Sequence, residues 1–206
     1  MRPARGVPAI AVFCSGEGTN LQAILDACRS GRLRARVALI ISDRPDAGAL
    51  RRARRAGVEA YSVNPGAYPT RAAFERVLIR RCEARQVRLI CLAGFMRMLS
   101  PVFVRHYRHR ILNIHPALLP AFPGAHAIRD ALQWGVKVTG VTVHLVDEAM
   151  DHGPIVLQEA LAIRSGETET SLLVRLHTIE HRLYAQAIRL MLERRVKIAG
   201  RTVKIG

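Results

Sequence analysis

Between residues 7 and 94 short apolar runs alternate with segments of helical period, and this alternation restricts the fold more than any other feature of the chain. The runs VPAIAVFC (7–14), ARVALIIS (35–42), EAYSV (59–63) and VRLICLAG (87–94) read as strands. The segments TNLQAILDACRSG (19–31), AGALRRARRAG (47–57) and TRAAFERVLIRRCEAR (70–85) read as the helices between them. In the first helix Leu21, Ile24, Leu25 and Cys28 share one face and Gly31 supplies a stop; in the third Phe74, Val77, Leu78 and Cys82 share a face. Strand–helix–strand units with short Gly-containing links imply right-handed crossovers, hence an α/β fold with a mostly parallel sheet and helices on both faces.

The texture changes after Ile111. VTGVTVHLV (138–146) alternates as a more exposed, antiparallel strand would, and PIVLQEALAI (154–163) follows it. A long helix is expected over about 168–194, and VKIAGRTVKIG suits a small hairpin turning at Ala199-Gly200. Antiparallel strands are therefore expected toward the C-terminal half. Residues 1–206 read as one domain, with a phosphate- or nucleotide-type half over about 1–110 and a second half over about 111–206.

Several classes lack support. No stretch reaches eighteen uncharged apolar residues, so no membrane span is expected. The basic, apolar start lacks a small-residue cleavage site, which argues against a signal peptide. Cys14, Cys28, Cys82 and Cys91 form no CxxC and read as buried free thiols, in keeping with a cytoplasmic location. The formal net charge of +16 is spread along the chain as arginine. Its densest run, RRARR (51–55), sits in a helix pattern closed by Gly57 and reads as a solvated face, so nucleic acid is not an expected partner.

Two stretches carry chemistry. In SGEGTNLQAI, Gly16 and Gly18 permit a tight turn, Thr19 or Asn20 is placed to cap the next helix, and the first-turn N–H groups would face an anion. The third glycine of a dinucleotide fingerprint is missing and no P-loop Lys follows, so the alternatives are a single phosphate or a plain strand–helix turn. In RILNIHP, Asn113 and His115 lie two apart on a strand and share a face at its carboxyl end, where open α/β sheets bind ligands. A donor pair there suits a developing oxyanion. Asp130, Asp147, Glu148 and Asp151 are candidates to orient the imidazole, and Asp151 lies in a loop placed to reach back. The remaining histidines, including His126 and His144, read as structural or surface residues, and Met96 and Met98 as core. HTIEH (177–181) matches a zinc-protease pattern but lacks a later acidic ligand on another helix.

Five segments, in order, resemble a known family: SGEGTNLQAI, LAGFMRMLSP, LNIHPALLPAFPGAHA, VTVHLVDEAMDHGPIV and IEHRLY. From about Val7 to Arg194 the chain is similar to the phosphoribosylglycinamide formyltransferases, the folate-dependent glycinamide ribonucleotide (GAR) transformylases of purine synthesis. The resemblance implies a Rossmann-like formyltransferase fold in which residues after about 111 form a folate-binding and catalytic half. It implies Asn113, His115 and Asp151 as the catalytic set, with the first two, His115 protonated, holding the tetrahedral oxyanion and Asp151 orienting the ring. It implies Gly18, Thr19 and Asn20 at the GAR phosphate, and His177, Thr178, Ile179 and Glu180 at its ribose and glycinamide end. For the folate it implies Met96, Arg97, Met98, Leu99, Asn113 and the loop Asp147, Glu148, Ala149, Met150 and Asp151, with Arg71 at the tail. The formyl donor, 10-formyltetrahydrofolate, is then a co-substrate and no metal is called for. The expected partners are the two small molecules, with no membrane, in a monomer or homodimer. Ala117 and Ala121 depart from the family's commoner Ser and Lys/Arg. Other formyltransferases, and a phosphate- or RNA-binding module, are the alternatives.

Overall fold

The first apolar run is buried on both faces because it forms the middle of a sheet. A computed structural model describes residues 6–206. Strand β1 (Ala9–Phe13) is flanked by β2 (Arg36–Ser42) and β4 (Val87–Leu92), both parallel to it. Outside these lie β3 (Ala60–Ser62), parallel to β2, and β5 (Ile111–His115), parallel to β4. β6 (Val138–Leu145) and β7 (Ile155–Ala162) complete the sheet in the antiparallel sense, giving the order β3-β2-β1-β4-β5-β6-β7. The order reverses between β1 and β4, and the crevice above that switch point is where such sheets take ligands.

Helices α1 (Thr19–Arg29), α2 (Gly48–Arg55) and the long α6 (Glu169–Leu192) cover one face, joined by α5 (Ala127–Trp134). Ile10, Val12, Leu89, Cys91, Leu112 and Ile114 point into that layer. On the other face α3 (Arg71–Ala84) and α4 (Pro101–His106) pack on Ala11, Phe13, Leu39, Ile41, Ile90 and Ile111. Beyond Ile111 that second face carries Asn113, His115, Thr142 and His144, and loops cover it instead of a helix. Thr142 Oγ1 donates to Ala117 O at 2.6 Å and accepts from Leu119 N at 3.1 Å, which holds the proline loop flat against β6.

The alternation of strands and helices, the mostly parallel sheet and the antiparallel C-terminal strands match the sequence expectation. The tail hairpin also forms, as β8 (Val196–Ala199) and β9 (Thr202–Ile205). Three expectations need correction. β6 is an interior strand, buried from Thr139 to Leu145, because β5, β7, α6 and the proline loop enclose it. Its alternation reflects polar side chains facing a buried site, not solvent. Met96 and Met98 are not core residues; they are 66% and 48% exposed. Helices α4 and α5 had no counterpart in the sequence reading, although Ser100 caps α4 through the Phe103 N–H and Gly135, at φ 68°, closes α5. Among the described residues no helix is long and apolar enough to cross a membrane.

Candidate functional site

Asn113 and His115 share a face of β5, and β6 runs antiparallel beside it, placing His144 opposite Asn113 and Thr142 opposite His115. Directly opposed residues of an antiparallel pair have neighbouring side chains. Asp151 arrives from the β6–β7 loop with φ 49°, a left-handed conformation that Asp tolerates better than most residues. Behind it Gly153 makes the approach possible, since a Cβ there would lie 1.8 Å from Leu145 O.

The Asp151 carboxylate is the hub. Oδ2 accepts the Gly124 N–H at 2.8 Å and lies 3.5 Å from His115 Nδ1. Oδ1 accepts from Asn113 Nδ2 at 3.3 Å and lies 3.6 Å from His144 Nε2. Burial pushes this carboxyl up, but the His144 imidazole, the Gly124 N–H and the His115 charge outweigh burial and hold it near about 2. It is therefore an anion at neutral pH. Of the four candidate acids Asp151 is the one that meets His115; Asp130 lies beside Arg129, Asp147 pairs with His152 and Glu148 with Arg105.

His115 is 4% exposed, and both ring nitrogens face oxygens: Nδ1 faces Asp151, and Nε2 lies 2.8 Å from Phe122 O. A ring bearing both hydrogens satisfies both acceptors, whereas a neutral ring satisfies one. His144 was expected to be structural, yet it belongs to this cluster. Its Nδ1 lies 2.9 Å from Leu145 O, and its Nε2 lies 3.1 Å from Asn113 Nδ2 and 3.6 Å from Asp151 Oδ1. His144 escaped the sequence reading because its place depends on the β5–β6 register. His126 is exposed at the start of α5.

The glycine turn lies at the carboxyl end of β1. Gly18, at φ 75°, occupies the cap position of α1, and no side chain caps the helix. This corrects the expectation that Thr19 or Asn20 does so. The first-turn N–H groups consequently have no intrahelical acceptors and remain available to an anion. Gly18 also has no room for a side chain: a Cβ would lie 2.8 Å from Ala49 Cα. The Asn20 side chain instead spans to α6, where Nδ2 donates to Glu180 Oε2 at 2.8 Å, and its Oδ1 is buried without a partner among the described residues. Burial raises the Glu180 carboxyl, against the opposing pull of the Asn20 bond and the His177 and His115 charges. His177 Nε2 is 3.8 Å from Glu180. Thr178 turns away to Val174 O and Ile179 packs on the core, so their side chains do not join this group. His177 and His181 stack at 5.8 Å with a 12° interplanar angle, and Glu180 is bound to Asn20, an arrangement unlike a zinc-protease site.

The expected folate residues divide. Arg71, Met96, Arg97, Met98 and Leu99 line a cavity of about 770 Å³ between α3 and the segment after β4. Asp147, Glu148, Ala149 and Met150 do not line it; they form the loop ahead of Asp151, tied to α4 by the Arg105–Glu148 pair at 3.1 Å.

Known proteins similar to this chain place it in a family. The formyl transferase family profile matches residues 9–188. The phosphoribosylglycinamide formyltransferase of Escherichia coli (strain K12) is 41% identical over 92% of this chain and 89% of its own. That of Bacillus subtilis (strain 168) is 41% identical over 88% and 93%. The crystal structure of glycinamide ribonucleotide transformylase 1 from Symbiobacterium toebii superposes with a TM-score of 0.95 at 52% identity, covering 100% of this chain and 97% of that one. The chain belongs to the formyl transferase family, among its phosphoribosylglycinamide formyltransferases.

Proposed function

We propose that the protein transfers the formyl group of 10-formyltetrahydrofolate to the amine of glycinamide ribonucleotide, working as one formyltransferase domain over residues 1–206. The observation that carries this reading is the meeting of Asn113, His115 and Asp151 at one point, with the anion turn of α1 linked to it through Asn20 and Glu180. The amine attacks the formyl carbon and the carbonyl oxygen becomes an oxyanion. Asn113 Nδ2, giving up one of its present acceptors, and His115 Nε2, giving up the Phe122 carbonyl, supply hydrogens to it. Asp151 holds the ring in place and balances its charge. When the tetrahedral intermediate collapses, the carbon–N10 bond breaks, folate N10 gains the equivalent of the proton that the attacking amine gives up, and the formamide remains. Gly18, Thr19 and Asn20 hold the phosphate, and His177 and Glu180 the ribose and glycinamide end. The cavity at Arg71 and Met96 to Leu99 takes part of the folate, and the Asp147–Asp151 loop, which lies outside that cavity, meets the pterin. Joining two substrates in one site supplies the entropic share of the acceleration.

The test is a spectrophotometric formyl-transfer assay with both substrates, run beside His115→Ala. Loss of one oxyanion donor typically costs on the order of 10²–10³ in turnover. The expected result is a loss of at least that size with both substrates still bound. Full turnover in His115→Ala removes this residue from the mechanism.

A further inference from the structure

The cavity after β4 holds two arginines, each gripped by a nearly buried acid. Arg97 Nε donates to Asp43 Oδ2 at 3.0 Å, and Arg71 Nε donates to Glu75 Oε1 at 3.2 Å. The side chains of Asp43 and Glu75 are 9% and 4% exposed, while those of Arg97 and Arg71 are 49% and 51% exposed. A carboxylate removed from water binds its partner firmly, because losing that partner leaves an uncompensated charge. The acids are themselves anchored. Ser15 Oγ donates to Asp43 Oδ1 at 2.6 Å and accepts the Met96 N–H at 2.9 Å, so the ends of β1, β2 and β4 are tied at the switch point. Glu75 accepts the Ser100 N–H at 2.6 Å. Held at Nε, Arg97 keeps both terminal nitrogens free of hydrogen bonds to other described residues. Arg71 gives one of its own to Met98 O. Two cations and two anions leave the group with no net charge.

We propose that Asp43 and Glu75 are positioning residues that aim the free guanidinium edges of Arg97 and Arg71 at the tail carboxylates of the folate. The pocket then selects that tail by hydrogen-bond direction and not by accumulated positive charge. This inference rests on the folate reading of the cavity. Asp43 is the informative position, because Glu75 also anchors α4. Asp43→Asn keeps the size and an acceptor for Ser15 but removes the charge that orients Arg97.

The experiment measures, by titration calorimetry, the dissociation constants of two unreactive folate analogues, one with a glutamate tail and one truncated after the benzoyl ring. In the Asp43→Asn variant the tailed analogue should bind roughly tenfold more weakly, the scale of one charged hydrogen bond, while the truncated analogue is unaffected. In an Arg97→Ala background the Asp43→Asn change should add nothing further. Equal weakening for both analogues, or effects that add to those of Arg97→Ala, overturns the proposal. If D43N fails to fold, Arg97→Lys decides, since it keeps the charge but lacks the Nε that Asp43 grips. A similar tail-specific loss supports the proposal and unchanged tail affinity refutes it. A protein that distinguishes the analogues as expected but transfers no formyl group leaves this proposal standing and sinks the assigned activity.

Discussion

At the scale of single residues, the site is a set of exchanges around one carboxylate. Asp151 accepts from Gly124 and Asn113 and faces two imidazoles, which keeps its carboxyl near about 2 against an ordinary 3.8. The folded state therefore holds fewer protons than the unfolded chain between about pH 4 and pH 2. Stability from this group is complete above its unfolded value and is lost as pH falls through that window. Urea titrations at steps from pH 5 to pH 2 should show a steeper fall for the wild type than for Asp151→Asn; parallel curves would mean that the pairing contributes nothing. The same variant should lose turnover, since an amide leaves the His115 ring uncompensated. Asn113 and His115 were legible in the sequence because an i, i+2 pair on a strand shares a face. Asp151 was legible as one of four acids, and only the loop's path selects it. His144 and the Phe122 carbonyl were illegible, because cross-strand register and the course of a proline loop are tertiary facts.

At the scale of elements, the turn before α1 is the most demanding piece. Gly18 combines φ 75° with a 2.8 Å approach of a built Cβ to Ala49 Cα. A left-handed alanine costs about 1–2 kcal/mol, and a backbone overlap adds about 1–3 kcal/mol. Gly18→Ala should therefore lose roughly 2–5 kcal/mol in chemical denaturation. It should also weaken GAR more than folate, because the shift falls on the anion turn; equal weakening of both substrates would place the damage elsewhere. The sequence showed that this turn needs glycine, but not that α2 is the reason. The expected side-chain cap was wrong for a related reason. Asn20, which has the right chemistry for a cap, is drawn off by Glu180 on a helix about 160 residues away. Helix α4 is short, at 6 residues, too brief for periodicity to stand out, so only its cap announced it.

At the scale of the molecule, the parallel half of the sheet was readable because helices of clear period separate β1, β2, β3 and β4. The antiparallel half was readable in direction but not in burial, since polar side chains aimed into a covered site look the same in sequence as polar side chains aimed at water. The helix α6 joins the halves: Glu180 reaches α1, and the Tyr184 hydroxyl lies 2.8 Å from Leu92 O on β4 and 3.1 Å from Leu112 O on β5. The other face is unevenly covered, with helices as far as Ile111 and loops beyond it. That asymmetry leaves the site under loops, which a bound ligand would brace. Saturation with both substrates at a hundredfold above Kd adds about 2.7 kcal/mol per site by mass action. Amide exchange should slow most in the two covering loops and the first turn of α1, and least in the rest of α1 and in α6. The thin roof thus puts the most labile backbone where traffic enters, and leaves the girders beneath it undisturbed between turnovers.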